Sequence, residues 1–191
     1  MTTPVTDPVQ VAARLPRYTV VDVRTPGEYA AGHVPGAHNI PLDHLHTALP
    51  ALKAAAARGD LLVVCASGQR SASACAELAA ADIPATSLAG GTTAWAEEGH
   101  PLDRPRGRAA GWAMERQVRF AAGSLVLLGL ALGRRAPRAR LLSAAIGSGL
   151  VFSAVTDTCG MAAVLAKLPH NRPRREDLDA TLDALNADEP R

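Results

Sequence analysis

Three short β-branched or apolar runs, separated by helix-forming stretches, constrain this chain most. They are "YTVVDVR" (Tyr18 to Arg24), "DLLVVC" (Asp60 to Cys65) and "IPATSLAGG" (Ile83 to Gly91). Between them lie "LDHLHTALPALKAAAARG" and "RSASACAELAAAD", both rich in good helix formers. Strands that are apolar along their whole length, with helices between them, predict a parallel sheet covered on both faces. The pattern runs from about Val5 to Asp103, and about a hundred residues suffice for one such core.

The pattern then breaks. "DRPRGRAAG" (Asp103 to Gly111) mixes Pro, Gly and Arg and reads as a basic linker. Two uncharged or nearly uncharged runs follow, Phe120 to Gly133 and Leu141 to Ala166, joined by "RRAPRAR". The second, about 26 residues rising about 1.5 Å each, exceeds a hydrocarbon core of about 30 Å. The first is shorter and needs Arg119 to snorkel to the interface. The alternative is a pair of buried helices in a soluble domain. Small residues in both runs (Ala121, Gly123, Gly129; Ala144, Gly147, Gly149) and Arg or Lys at every end favour a membrane hairpin, with a homodimer as a further expectation. The expected organisation is an α/β domain over 1–103, a linker over 104–117, a transmembrane hairpin over 118–168 (about 118–134 and 141–166) and a polar tail over 169–191. That tail carries a weak helical stripe of Leu178, Leu182 and Leu185.

Basic residues flank both ends of the hairpin, Arg104 to Arg119 before it and Lys167 to Arg175 after it. The positive-inside rule then places the first domain in the cytoplasm, although the connecting loop carries its own arginines. The start has no basic segment leading into an apolar core, so no secretory signal is expected. A net charge of +2 and only 3% aromatic residues argue against nucleic-acid binding, and no CxxC pair suggests zinc. Three scattered cysteines, Cys65, Cys75 and Cys159, do not form a disulfide framework and fit a reducing compartment.

The chemistry concentrates at Cys65. It closes an apolar strand, and the loop Ala66-Ser67-Gly68-Gln69-Arg70-Ser71 leads into a helix. That is where parallel sheets bind ligands. Loop N–H groups, the helix N-terminus and the Arg70 guanidinium favour a thiolate and attract an anion, and Gly68 gives the loop its backbone freedom. The plain alternative is a buried structural cysteine at a strand end. Gly and Arg at these offsets favour the reactive reading.

Three blocks in order, "VVDVRTPGEYAAGHVPGAHNIPL" (Val20 to Leu42), "CASGQRS" (Cys65 to Ser71) and "LAGGTTAWAEEGHPL" (Leu88 to Leu102), resemble a single-domain rhodanese. "ERQVRFAAG" and "CGMAAVLAKLPHN" resemble the two-helix module fused to rhodaneses in bacterial inner-membrane proteins. The resemblance implies a sulfurtransferase at the inner membrane. Cys65 would take the sulfane sulfur of thiosulfate as a persulfide and pass it to cyanide or a cellular thiol, with no cofactor or metal. Ala66 to Ser71, Arg70 included, would bind the substrate. Asp22 and Arg24 would brace the site, and Glu28 and His33 would be scaffold.

Trp95 reads as a packing anchor and Cys75 as a small buried residue, with resolution of a Cys65 persulfide as the alternative. His38, His44 and His46 have no metal-ligand spacing and read as solvated surface. Asp157, the single charge in the second apolar run, and its neighbour Cys159 read most simply as parts of an anchor. The alternative is a polar spot able to receive sulfur or pass a small anion.

Two other function classes remain open. Phosphatases and arsenate reductases on this scaffold typically place five residues between Cys and Arg. Here four intervene, Ala66 to Gln69, which favours sulfur. A non-catalytic sulfur or anion sensor, or a thiocyanate- or sulfite-handling membrane protein, is the remaining alternative.

Overall fold

The computed structural model describes residues 4–104, 114–156, 160–166, 168 and 175–187. It divides into two compact units, one formed by 1–111 with 173–191 and the other by 112–172.

The first unit is built on a five-stranded, all-parallel sheet. Its strands are β1 (Val5–Thr6), β2 (Tyr18–Asp22), β3 (His38–Asn39), β4 (Asp60–Val64) and β5 (Thr86–Leu88), in the order β1-β5-β4-β2-β3. The expected runs supply the three central strands. The edges, β1 and β3, are two residues each, too short to leave an apolar pattern in the sequence.

Helices cover both faces. They are α1 (Pro8–Ala12), α2 (Pro26–Ala31), α3 (Leu45–Arg58), α4 (Gln69–Ala80) and α5 (Gly91–Glu97). Alternate residues of each strand enter opposite cores. Val21 and Val63 pack with Leu45, Leu52 and Leu78 on one face, while Val20, Leu62 and Val64 pack with Val11, Leu88 and Trp95 on the other. Trp95 is the anchor of this second core, and its Nε1 donates to the Pro101 carbonyl at 2.8 Å.

The segment expected to be a polar tail contains a further element of this unit, the last helix of the chain (Arg175–Ala187). Its leucine stripe is the reason. Leu185 is fully buried in the first core, and Leu178 and Leu182 pack against it. Arg58 at the end of α3 donates to the Leu185 carbonyl.

The second unit contains α6 (Met114–Leu132), α7 (Arg140–Thr156) and α8 (Gly160–Ala166), and the last helix of the first unit is accordingly α9. Among the described residues, Pro137–Val155 is the one helical stretch long and apolar enough to cross a membrane. α6 begins in polar residues, Arg116, Gln117 and Arg119, which lower its average. α6 and α7 approach closely at Gly129, where a Cβ would overlap the Ser143 hydroxyl, and Ser143 Oγ donates to the Val126 carbonyl at 2.9 Å. Of the small residues singled out in the sequence, Gly123, Gly147 and Gly149 have open space beside them instead. Large apolar side chains such as Phe120, Leu127, Val151 and Val155 point outward, the reverse of a water-soluble bundle. Asp157 and Cys159 lie outside the described residues.

Candidate active site

Cys65 stands directly after β4, and α4 begins four residues later. Gly68 caps that helix with φ of 99°, a left-handed conformation that a side chain resists. This turn brings the Gly68 N–H to 3.1 Å from Cys65 Sγ, so the loop closes on the sulfur that precedes it. Cys65 is only 1% exposed. Within the loop, Ala66 and Arg70 are half-buried, whereas Ser67 and Gln69 are exposed.

The loop is gripped from the other side by the turn between β5 and α5. Thr92 N–H donates to the Cys65 carbonyl at 2.8 Å and Thr93 N–H to the Ala66 carbonyl at 3.1 Å. Gly91 makes this approach possible. It adopts φ of 60°, and a Cβ there would overlap the Cys65 carbonyl and crowd Ala66. Of the glycine pair in the third sequence block, Gly91 is thus explained by close backbone contact with the first residues of the cysteine loop, while a Cβ at Gly90, with φ of 62°, would strike Ala94 of α5.

Behind the sulfur lies a buried hydroxyl pair. Ser71 Oγ is 3.5 Å from Cys65 Sγ, donates to the Gly68 carbonyl at 2.9 Å, and is 2.7 Å from Ser87 Oγ. Ser71 was a candidate from its place in the loop. Ser87 had no motif to mark it, because it sits on a separate strand, β5.

Arg70 does not stand alone at the loop. Its two terminal nitrogens donate to the two carboxylate oxygens of Glu28, at 2.9 and 2.7 Å. Glu28, expected as scaffold, is also the capping-box residue of α2. Its Oε2 accepts from the Thr25 N–H at 3.1 Å and the Thr25 hydroxyl at 2.9 Å. Burial opposes ionisation of Glu28, but the Arg70 guanidinium and the Thr25 donors outweigh it and hold the carboxyl below its ordinary value. For Arg70 burial likewise works against the charge, and Glu28, with smaller help from Cys65 and Asp22, holds its pKa above the ordinary value. A guanidinium carries five N–H donors, so three remain beyond those on Glu28.

Asp22 and Arg24 form a second, more deeply buried pair. Arg24 Nε lies 2.9 Å from Asp22 Oδ1, and its terminal nitrogen lies 2.6 Å from Oδ2 and 2.7 Å from the Gly32 carbonyl. Asn39 Nδ2 donates to the carbonyls of Asp22 and Arg24, each at 2.9 Å. These contacts tie the end of β2 to the end of α2 and to β3. His33 is buried, stacks on Tyr29 at 3.6 Å and bonds the Tyr29 carbonyl through Nδ1 at 3.0 Å. Cys75 is buried on α4. Burial, with the nearby Cys65, pushes its thiol up to about 11. A separate cleft of about 610 Å³ opens between α2, β3 and α9, and no residue of the cysteine loop lines it.

Comparison with known proteins agrees with this architecture. Residues 7–98 match the model of the rhodanese-like domain, and residues 113–174 match the transmembrane domain of inner membrane protein YgaP-like proteins. An uncharacterized protein of Synechocystis is 37% identical over 155 residues, covering 80% of this chain and 84% of that one. A protein of Allochromatium vinosum named sulfurtransferase is 38% identical over 90 residues, 46% of this chain and 80% of its own length. The crystal structure of a rhodanese-related protein from Thermoplasma volcanium is 30% identical and covers 53% of this chain and 99% of its own, with a TM-score of 0.50. With its parallel sheet, its strand-end cysteine loop and a second unit of the YgaP-like type, this chain belongs to the rhodanese family, in the form fused to a transmembrane domain.

Proposed function

We propose that this protein is a membrane-anchored sulfurtransferase that carries sulfane sulfur on Cys65. The observation that carries this reading is the Gly68 N–H on Cys65 Sγ at 3.1 Å, inside a loop whose arginine is held in place by Glu28. A sulfur enclosed to this degree is reached by a terminal atom projecting into the loop. The sulfane sulfur of thiosulfate is such an atom. The Cys65 thiolate attacks it, the bond between the sulfane and sulfonate sulfurs breaks, and sulfite departs with the bonding electron pair. The cysteine keeps a persulfide anion. Attack by cyanide or a cellular thiolate on the outer sulfur then restores the Cys65 thiolate. Loop N–H groups and the remaining Arg70 donors stabilise the anions at each stage.

The anchor is the hairpin of the second unit, in the lipid bilayer. Both chain segments that flank it, up to residue 111 and from residue 173, belong to the rhodanese unit. An even number of crossings satisfies that connectivity. The flanking arginines favour a cytoplasmic rhodanese unit. Protease accessibility in spheroplasts tests the orientation, and cleavage of an externally exposed rhodanese unit would reverse it. Small-residue faces support a homodimer, which crosslinking in membranes tests.

Thiocyanate formation from thiosulfate and cyanide by the detergent-extracted full chain tests the activity, with Cys65→Ser as control and phosphate and arsenate substrates beside it. The expected result is thiocyanate from the unaltered chain alone, and one sulfur atom added at Cys65 by mass spectrometry after thiosulfate. Turnover that survives Cys65→Ser, or an unmodified Cys65, would overturn the reading.

A further inference from the structure

We infer that Ser87 is a positioning residue for Cys65, acting through Ser71, in a buried hydroxyl relay behind the reactive sulfur. The inference rests on the sulfurtransferase reading for its purpose, but its geometry stands independently.

Hydrogen-bond accounting leads to it. Ser71 is fully buried and Ser87 is 2% exposed, so neither hydroxyl bonds to bulk water. Ser71 has one proton and, within reach, three acceptors for it, Ser87 Oγ at 2.7 Å, the Gly68 carbonyl at 2.9 Å and Cys65 Sγ at 3.5 Å. The Gly68 carbonyl already accepts from the Ala72 N–H at 3.0 Å. The Ser71 proton can therefore turn to the sulfur without leaving that carbonyl unpaired.

Ser87 decides how readily it turns. In the relay its hydroxyl, 2.7 Å from Ser71 Oγ, points its own proton at the Ser71 oxygen, which removes Ser87 as an acceptor and leaves the Ser71 proton to the Gly68 carbonyl or to the sulfur. Cys65 as a thiol needs no donor there. Cys65 as a thiolate, or while it leaves as one during sulfur transfer, gains a second donor beside the Gly68 N–H. Strand pairing places Ser87 accurately. β5 lies between β1 and β4, with Ser87 opposite Val5 on one side and Val63 on the other, and its N–H donates to the Pro4 carbonyl at 2.9 Å.

The test is the pH dependence of Cys65 alkylation by iodoacetamide in the full chain in detergent, read by mass spectrometry. This measurement needs no sulfur donor, so it remains decisive for the relay even if thiosulfate transfers nothing. Arg70 and Cys75 of α4 act on the sulfur electrostatically, with Glu28 of α2 and Asp22 of β2 acting on Arg70. The turn at residues 89–93 has no titratable side chain. All of these stay unaltered in the variants.

Ser87→Ala is expected to slow alkylation near neutral pH about 3- to 10-fold, with the plateau at high pH unchanged, a shift of about 0.5 to 1 pH unit in the half-maximal point. Ser87→Thr and Ser87→Val have nearly equal volume and differ in one hydroxyl. Thr is expected to keep the original profile and Val to follow Ala. Superimposable Thr and Val profiles, or an Ala profile identical to that of the unaltered chain, would overturn the relay. The Thr–Val comparison decides the matter if Ala fails to fold.

Discussion

Arg70 and Glu28, 42 residues apart in sequence, meet in a two-pronged ion pair in which each terminal guanidinium nitrogen faces its own carboxylate oxygen, at 2.9 and 2.7 Å. The same carboxylate caps α2 through Thr25. One side chain thus joins the start of a scaffold helix to the start of the helix that follows Cys65. This relationship makes the loop arginine part of the framework as well as a contributor of charge.

Glu28→Gln removes the charge but keeps the shape. It leaves a half-buried guanidinium without its counter-ion, and with solvent screening part of the charge the expected loss of stability is about 1–2 kcal/mol. Urea unfolding of the rhodanese unit in the detergent-solubilised chain measures it. Turnover is expected to fall as well, because Arg70 is no longer held over the loop.

The same pair predicts an acid limb. The folded-state pKa of Glu28 lies below its ordinary value of 4.5. Its contribution to stability is therefore fully present above about pH 4.5 and is lost as pH falls further, through the folded value. In Glu28→Gln the stability curve is expected to flatten over that acid range. Urea midpoints measured between about pH 3 and 6 check the sign.

Cys75, with its thiol pushed up to about 11, is a neutral thiol at physiological pH. Sulfur from thiosulfate and alkyl from iodoacetamide are both expected at Cys65 and not at Cys75 in the native chain. Peptide mapping after brief treatment near pH 8 distinguishes the two positions. Persistent modification of Cys75 in folded Cys65→Ser would contradict the assignment.

Gly91 and Gly36 offer a controlled comparison. Both have positive φ, 60° and 73°, but a Cβ at Gly91 would strike the Cys65 and Ala66 backbone whereas one at Gly36 meets nothing within 4 Å. Gly36→Ala is expected to cost about 1–2 kcal/mol from backbone strain alone. Gly91→Ala should cost more than that and should also abolish sulfur transfer, since the loop must move to admit the methyl group. Parallel unfolding and thiocyanate assays separate the two effects.

The last helix predicts a stability effect outside the cysteine loop. Leu185 is fully buried against the first core. Leu185→Ala is expected to destabilise the rhodanese unit by about 2–4 kcal/mol, as other buried leucines do. Hydrogen exchange in α3 is the sensitive readout, because Arg58 of α3 bonds the Leu185 carbonyl directly.

By itself the sequence determined the features written in local periodicity and punctuation. Strand-forming runs at Tyr18 to Arg24, Asp60 to Cys65 and Ile83 to Gly91, alanine-rich helices between them, the cysteine loop with its glycine and arginine, and the two long apolar runs all follow from residue type and spacing, because side-chain burial repeats every two or 3.6 residues. Tertiary structure alone decided which distant residues meet. It paired Glu28 with Arg70, set Ser87 behind Ser71, added the two-residue edge strands, and brought Leu185 into the first core, its carbonyl bonded by Arg58 from 127 residues earlier. A carboxylate, a hydroxyl or a leucine stripe has many partners compatible with its local pattern. The path of the folded chain selects one, through the packing of the whole unit.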